Sequence, residues 1–299
     1  MKDRGILYAV GAYVAWGLFP IYWKFLTQVP ALQLLGHRIM WSFILLVGII
    51  LLTRRWVDFR SRITPKMLRI YLAAALLIGV NWLTYVWAIN AGFIIETSLG
   101  YFINPLLSVL LGVIFFREKL RPLQWIPILL AAAGVLYLTL SYGSLPWIAL
   151  TLAVTWGFYG LVKKAAPLGS LYGVALETGI LFLPALGFLI FADLSGSGVF
   201  LHTGIRIDLL LAGAGVVTTI PLLMFASAAQ RISLSMIGIL QYISPTMQFL
   251  IGFLVYHESF SKSRMIGFGI IWLALIVFWL ENNLARQRSI PPVTELGEG

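Results

Sequence analysis

The chain has 299 residues, of which 60% are hydrophobic and only 11% are charged, and its formal net charge is +10. A soluble protein of this length needs more charged residues to cover its surface. The composition therefore excludes a soluble globular domain and indicates an integral membrane protein. The sequence contains no cysteine, which excludes disulfides and thiolate metal sites.

Ten apolar segments follow one another along the chain, separated by mostly short loops. About 20 apolar residues cross the ~30 Å hydrocarbon core of a bilayer, so each segment predicts a transmembrane helix. The first segment lacks a clear signal-peptide cleavage site and is expected to remain as a span. The predicted spans are 5–26, 32–53, 68–90, 95–116, 123–141, 145–163, 171–192, 207–229, 235–256 and 265–284.

The basic residues predict the orientation of these spans. With the N-terminus in the cytoplasm, sixteen Lys and Arg residues lie at the cytoplasmic ends of spans and four lie on the other side. This bias is typical of membrane topology. It accounts for the net positive charge, so we expect the lipid bilayer and not nucleic acid as a partner. An even number of spans returns the C-terminus to the cytoplasm, where residues 285–299 are expected to form a disordered tail.

The chain aligns with itself, without gaps, when it is shifted by 140 residues. The alignment predicts two halves of five spans each, 1–141 and 142–284. Because five is odd, the second half enters the membrane from the opposite side. Inverted repeats are characteristic of transporters, whose substrate sites lie near the midplane between the repeats. The predicted fold class is an all-α integral membrane protein with ten transmembrane helices arranged as two inverted five-helix repeats. The shift pairs Trp16 with Trp156, Gly17 with Gly157, Phe102 with Tyr242, Pro105 with Pro245, Gly112 with Gly252 and Glu118 with Glu258.

Three prolines that lie inside apolar segments predict irregular helices. Proline lacks a backbone N–H, and its ring clashes with an earlier carbonyl. In lipid the freed backbone groups need partners from neighbouring helices or a cavity. We therefore expect helix breaks at Pro105, Pro221 and Pro245.

Ionisable side chains within the predicted spans are candidates for function, because exposing them to lipid is costly. His37 and Arg38 lie in the second span, and Glu177 lies in the seventh span at the position that the shift pairs with His37. They could contact substrate or relay protons, with Arg38 meeting a carboxylate and Glu177 an amine. The alternative roles are snorkelling to the interface or structural hydrogen bonding.

Polar and aromatic side chains near the helix breaks predict a cavity that orients a small molecule by a few polar contacts. Asn81 and Tyr85 share one face of the third span, and Tyr101 and Asn104 share one face of the fourth. The alternative is that these groups only bond neighbouring helices or freed backbone. The predicted substrate-binding residues are His37, Arg38, Asn81, Tyr85, Tyr101, Asn104, Glu177, Gln241 and Tyr242.

Enzyme motifs are missing from the sequence. It has no HExxH, no GxSxG and no phosphate-binding loop. Its three histidines, at 37, 202 and 257, do not have the spacing of metal ligands. We expect no catalytic residue, no metal and no cofactor.

Motifs in both halves carry a resemblance to a known family. These are His37–Phe43, Asn81–Trp82, Glu96–Pro105, Gly143–Pro146, Phe158–Val162, and Gln241–Ile243 with Pro245. They resemble the EamA family of the drug/metabolite transporter superfamily, and within it the RarD-type permeases, over residues 5–284. The resemblance implies a multi-pass permease of the bacterial inner (plasma) membrane, of a kind usually assigned to efflux of drugs or metabolites.

These features predict a secondary transporter for small metabolites or drugs that works by alternating access, with its site between the two repeats. Proton coupling and passive facilitation are both compatible with the sequence. One alternative is an intramembrane lipid-modifying enzyme, which would need a catalytic constellation open to lipid or water. Another is a non-transporting membrane scaffold, which would not need polar groups at mid-membrane.

Overall fold

The structure, a computed structural model, describes residues 2–142, 145–257 and 262–288. These ranges are helical and contain no strand. The motif residues Gly143 and Ser144, the repeat residue Glu258 and tail residues 289–299 lie outside them. The helices are α1 Lys2–Gly17, α2 Phe19–Trp23, α3 Ala31–Leu52, α4 Trp56–Ser61, α5 Pro65–Asn90, α6 Ile94–Phe116, α7 Trp125–Tyr142, α8 Trp147–Ala165, α9 Ser170–Leu194, α10 Ile205–Ala229, α11 Leu234–Gln241, α12 Ile243–Leu250 and α13 Lys262–Arg288.

The chain forms two compact units, each built from segments of both halves of the sequence. The first comprises Met1–Glu118 and Leu145–Ser259, and the second comprises Lys119–Ser144 and Phe260–Gly299. The second unit contains α7 and α13, which pack against each other. In it, Arg121 Nη2 donates a 2.9 Å hydrogen bond to a carboxylate oxygen of Glu281.

Helix packing in the first unit follows a pairwise pattern. Helix α3 packs against α9 and α10, and α6 packs against α8 and α11. Helix α1 packs against α10 and α12, while α5 packs against α8 and α9. The core between them is aromatic and aliphatic, with Tyr13, Tyr159 and Phe225 fully buried. Burial of such large rings dominates core energetics.

Membrane character is clear for most of the long helices. Among the described residues, seven segments are long and apolar enough to cross a bilayer. The segments 122–137 and 265–281 are shorter apolar helices. Helix α8 has Lys163 and Lys164 in its last turn, which lowers its apolar length. The protein is thus all-helical and multi-pass in character, while the count of ten spans stays a prediction.

Two of the three predicted helix breaks are not interruptions. Helix α6 continues through Pro105, and α10 continues through Pro221. The third segment is interrupted at Tyr242, between α11 and α12, and ends in a π-helical turn at Ile251–Val255. A proline removes only one donor, and a neighbouring helix can bond the weakened carbonyls. Here the Tyr242 hydroxyl donates to the carbonyl of Phe102, one turn before Pro105, at 3.2 Å.

Helix ends carry local signals that the sequence also contains. Thr64 caps α5 by accepting a hydrogen bond from the Met67 N–H, and proline follows it at the first helical position. Ser233 caps α11 in the same way. Helix α13 extends to Arg288. Residues 285–288, which the sequence assigned to a disordered tail, therefore belong to this helix.

Candidate functional site

A cavity of about 150 Å³ lies within the first unit. Its volume is about ten times the space that one water molecule needs, so a small organic molecule fits. Its lining is mostly apolar and aromatic with a few polar groups, as is usual for ligand sites. The lining residues are Tyr13, Trp16, Phe19, Pro20, Trp23, Arg38, Asn81, Trp82, Tyr85, Thr97, Tyr101, Asn104, Leu152, Trp156, Leu222, Gln241, Ser244, Pro245 and Gln248.

Arg38 is the one charged residue among the lining residues that the structure describes. It comes from α3 and is half-buried. Its Nε donates a 3.0 Å hydrogen bond to the Thr218 hydroxyl on α10. Its guanidinium carbon lies 5.0 Å from the ring centres of Trp23 and Trp82, and 5.8 Å from that of Phe19. Aromatic faces within about 6 Å attract a guanidinium, so these rings hold the cation in the cavity.

Aromatic rings form much of the remaining wall. Trp16 and Trp156 meet edge to face, with ring centres 5.3 Å apart. Tyr85 and Tyr101 meet in the same manner at 5.9 Å. Edge-to-face pairs at these distances are favourable beyond the area they bury, and they give the cavity fixed, flat apolar surfaces.

Amide side chains provide the neutral polar groups of the cavity. Asn81 Nδ2 donates 2.9 Å hydrogen bonds to the Leu152 carbonyl and to the Thr155 hydroxyl, so Asn81 also joins α5 to α8. The side-chain oxygens of Asn104 and Gln241 are buried and have no hydrogen-bond partner among the described residues. Unsatisfied buried polar atoms are rare and costly, which makes these two oxygens candidate contacts for a bound molecule.

Six of the nine predicted substrate-binding residues line this cavity, and three do not. His37 is buried under Phe200, with ring centres 5.0 Å apart, and points elsewhere. Tyr242 is buried against α6, where it bonds the Phe102 carbonyl. Glu177 lies in a separate ion pair. The six that the cavity brings together are Arg38, Asn81, Tyr85, Tyr101, Asn104 and Gln241.

The ion pair of Glu177 is fully inside the protein. Lys163 Nζ lies 2.7 Å from one carboxylate oxygen of Glu177, and the Tyr159 hydroxyl donates to the other at 3.0 Å. The Lys163 and Glu177 side chains are only 2% and 3% exposed. The ammonium also lies 5.7 Å from the ring centre of Tyr71. Glu177 therefore has its cation already and is not free to meet a substrate amine in this state.

Sequence reasoning placed Tyr85 and Tyr101 in the cavity but missed its other aromatic rings and most of its hydroxyl groups. Aromatic residues make up 14% of the chain, so an aromatic residue in an apolar segment carries no signal of whether it faces lipid or a cavity. Proximity in the sequence to a polar cavity residue could have indicated Trp82, which follows Asn81. Within the described ranges, no group of three His, Asp or Glu side chains is arranged to hold a metal ion.

A carboxylate caps the start of one helix. Glu118 follows α6 and accepts hydrogen bonds from the N–H groups of Leu234 and Ser235, at 2.7 and 2.9 Å. It thereby caps α11, a helix from the other half of the chain. A carboxylate at a helix N-terminus satisfies free donors and the helix dipole.

Apolar membrane-crossing helices around an internal cavity define a class, the multi-pass membrane proteins that bind small molecules. A family model described as the EamA-like transporter family matches residues 3–140 and again 145–280. The chain belongs to the EamA-like transporter family, and within it to the RarD-type permeases.

Relatives from several bacteria match almost the whole chain. An uncharacterized transporter YojE of Bacillus subtilis is 46% identical over 92% of this chain and 93% of its own. Protein RarD of Streptomyces exfoliatus is 44% identical over 96% and 92%, and Protein RarD of Escherichia coli is 40% identical over 96% and 97%. A solved crystal structure is similar with a TM-score of 0.69, covering 94% of this chain and 99% of the other at 18% identity, which supports the fold alone.

Proposed function

We propose that this protein is a secondary permease of the bacterial inner membrane that exports small metabolites or drugs through the described cavity. The observation that carries the proposal is an aromatic cavity with one cation among its described lining residues and two amide oxygens that have no hydrogen-bond partner among the described residues. A structural scaffold would gain nothing from buried polar atoms that lack partners. A bound substrate would supply those partners, either directly or through an ordered water molecule that it holds in the cavity.

We further propose that the cavity lies at the axis between two inverted halves. In a two-fold arrangement, a residue can touch its own symmetry mate only near the axis. Trp16 and Trp156, which are 140 positions apart, touch with ring centres at 5.3 Å. Tyr242 donates its hydrogen bond to Phe102, again 140 positions away. Both observations support an axis beside the cavity, where inverted-repeat transporters bind substrate.

Helix packing and helix ends support the same arrangement. Helix α6 packs on α8 as α11 packs on α1, and α3 packs on α10 as α9 packs on α5. The matched segments end in left-handed residues at Arg117, with φ 51°, and at His257, with φ 52°. The two family matches, one to each half of the chain, also agree with a duplicated unit. Rocking of one half against the other would open the cavity to each side in turn.

The test is transport by the purified protein in liposomes. Vesicles preloaded with one solute of a metabolite and drug panel are assayed for counterflow of the labelled solute, with and without a pH gradient. We expect saturable counterflow for at least one solute. Uptake that does not depend on the gradient would indicate exchange or facilitation. No flux for any solute, from protein that is folded and monodisperse, would favour a lipid-modifying enzyme or a scaffold.

A further inference from the structure

The guanidinium of Arg38 differs from the other inward-facing cations in what neutralises it. Lys163 has Glu177 at 2.7 Å, and Lys164 has Glu118 at 3.8 Å. Among the carboxylates whose side chains the structure describes, none has an oxygen within 4.0 Å of a side-chain nitrogen of Arg38. The half-buried guanidinium therefore has no counter-charge among these side chains, and a cation removed from water without a counter-charge is costly.

The contacts of Arg38 leave its best donors free. Thr218 accepts from Nε, and the rings of Trp23 and Trp82 contact the guanidinium through its carbon at 5.0 Å. No partner within the described part of the chain accepts a hydrogen bond from the two terminal nitrogens. Those nitrogens form the planar fork that binds a carboxylate by two parallel hydrogen bonds.

We propose that the cavity binds a small aromatic carboxylate, with the carboxylate on Arg38 and the flat body between the aromatic walls. The wall pairs Trp16–Trp156 and Tyr85–Tyr101 offer the flat apolar surfaces. A cavity of about 150 Å³ is the size that holds one benzene ring, so the ligand carries a single ring besides its carboxylate. A simple organic cation is disfavoured, because it would enter a cavity that already contains a positive charge and no carboxylate among its described lining.

This substrate class rests on the proposed function of the cavity, and it is tested by ligand binding and not by flux. Thermal unfolding midpoints of the purified protein are measured against rising concentrations of phenylacetate, phenylacetamide and phenethylamine. These probes share one body and differ in charge. A ligand that binds only the folded state stabilises it by RT ln(1 + [L]/Kd), so the rise of the midpoint with ligand concentration reports the affinity. We expect phenylacetate to bind at least tenfold more tightly than the neutral amide, and the amine to give no shift.

Arg38→Gln should weaken phenylacetate binding to the level of the amide, and Arg38→Lys should give an intermediate loss because it keeps charge without the fork. Arg231→Gln is the matched control, since Arg231 bonds the Ser227 carbonyl and contacts Tyr8 away from the cavity; it should bind like the wild type. If Arg38→Gln does not fold, the wild-type series still decides the matter.

Equal shifts for the carboxylate and the amide would overturn the inference, as would a preference for the amine or no shift with any probe. Unchanged phenylacetate binding by folded Arg38→Gln would do the same. Flux of a neutral or cationic solute through the cavity, without carboxylate preference, would refute the substrate class and leave the transporter standing. Arg38-dependent carboxylate binding without any flux would support the ligand class and contradict the transport function.

Discussion

Asn104 has a side-chain oxygen that is buried in the cavity without a hydrogen-bond partner among the described residues. Replacing an unsatisfied polar group by an apolar one removes a penalty. We predict that Asn104→Leu leaves the unfolding temperature unchanged or higher, yet lowers transport at least tenfold. Sites that trade stability for function behave in this way.

Substitution of Asn81, which lies on α5, by leucine provides the contrast with Asn104→Leu. Asn81 bonds the Leu152 carbonyl and Thr155, so Asn81→Leu should destabilise the protein by about 1–3 kcal/mol. The two variants are compared by unfolding midpoint and by counterflow rate. A large loss of stability in Asn104→Leu would assign Asn104 to structure and withdraw it from the site.

Lys163 and Glu177 give a second prediction, about a buried ion pair. Removing one partner of such a pair leaves a bare charge and costs about 3–5 kcal/mol, while replacing both is often neutral. We expect Lys163→Met and Glu177→Leu each to lower stability strongly and the double variant to recover most of it. Denaturant unfolding of all four proteins completes the cycle. Additive losses would show that the pair is not coupled.

Asp58 lies in α4, between two spans, and its hydrogen bonds predict that the stability of the protein depends on pH. Hydrogen bonds from the Tyr172 hydroxyl and then from Arg62 hold the pKa of Asp58 below its usual value. The unfolded state therefore binds more protons, so the contribution to stability is present above about pH 4 and is lost as pH falls through the lower folded pKa.

The check is a pH series on Asp58→Asn, which cannot ionise at this position. Wild type should exceed the variant in unfolding temperature at neutral pH, and the difference should shrink below about pH 4. A constant difference across the series would mean that these hydrogen bonds do not act through the charge of Asp58.

Close packing of α11 on α6 gives a prediction about an element. A Cβ on Gly238 would lie 2.5 Å from the Pro105 carbonyl oxygen, closer than real Cβ contacts allow, and the obstacle is backbone. Gly238→Ala must push the helices apart, and overpacking of this kind costs about 1–3 kcal/mol. We expect lower unfolding temperature and slower counterflow, because Asn104 and Gln241 sit on these two helices.

Gly48→Ala is the matched control in α3, since nothing lies within 4 Å of its Cβ position. It should keep wild-type flux and equal or slightly higher stability, because alanine favours helix. Equal behaviour of both variants would show that the two helices can separate without cost.

The sequence predicted polar cavity residues better than it predicted their surroundings. Arg38, Asn104 and Gln241 are conspicuous because polar groups in apolar segments are costly, and all three line the cavity. Lys163, in contrast, reads as a loop cation near a span end but is 1% exposed beside Glu177. Contacts between distant helices depend on packing angles, which helical periodicity within one segment does not encode.

The sequence also did not predict which proline-containing helices continue and which are interrupted. Pro105 and Pro245 occupy matched positions, yet α6 continues and the later segment is interrupted at Tyr242. The cost of a proline depends on which neighbours bond the freed groups. Near Pro105 the Tyr242 hydroxyl bonds the Phe102 carbonyl, and the sequence around a proline does not show such a contact from another helix.

At the scale of the whole molecule, the proposed inverted arrangement predicts on which side of the membrane two loops lie. The loop after α3 and the loop after α9 follow spans that the 140-residue shift pairs. A parallel repeat would place both loops on the same side of the membrane. An inverted repeat would place them on opposite sides. The concentration of basic residues in the loop after α3 predicts that this loop is the cytoplasmic one.

The chain has no cysteine, so single cysteines report sidedness without background. Ser61 and Thr203 are exposed in these two loops. We predict that Thr203→Cys reacts with a membrane-impermeant maleimide on intact bacterial spheroplasts, and that Ser61→Cys reacts only after the membrane is permeabilised. Labelling of both from the same side would contradict the inverted repeat. The reverse pattern would keep the inversion and place the N-terminus outside, because turning the whole molecule over preserves the relation between its halves.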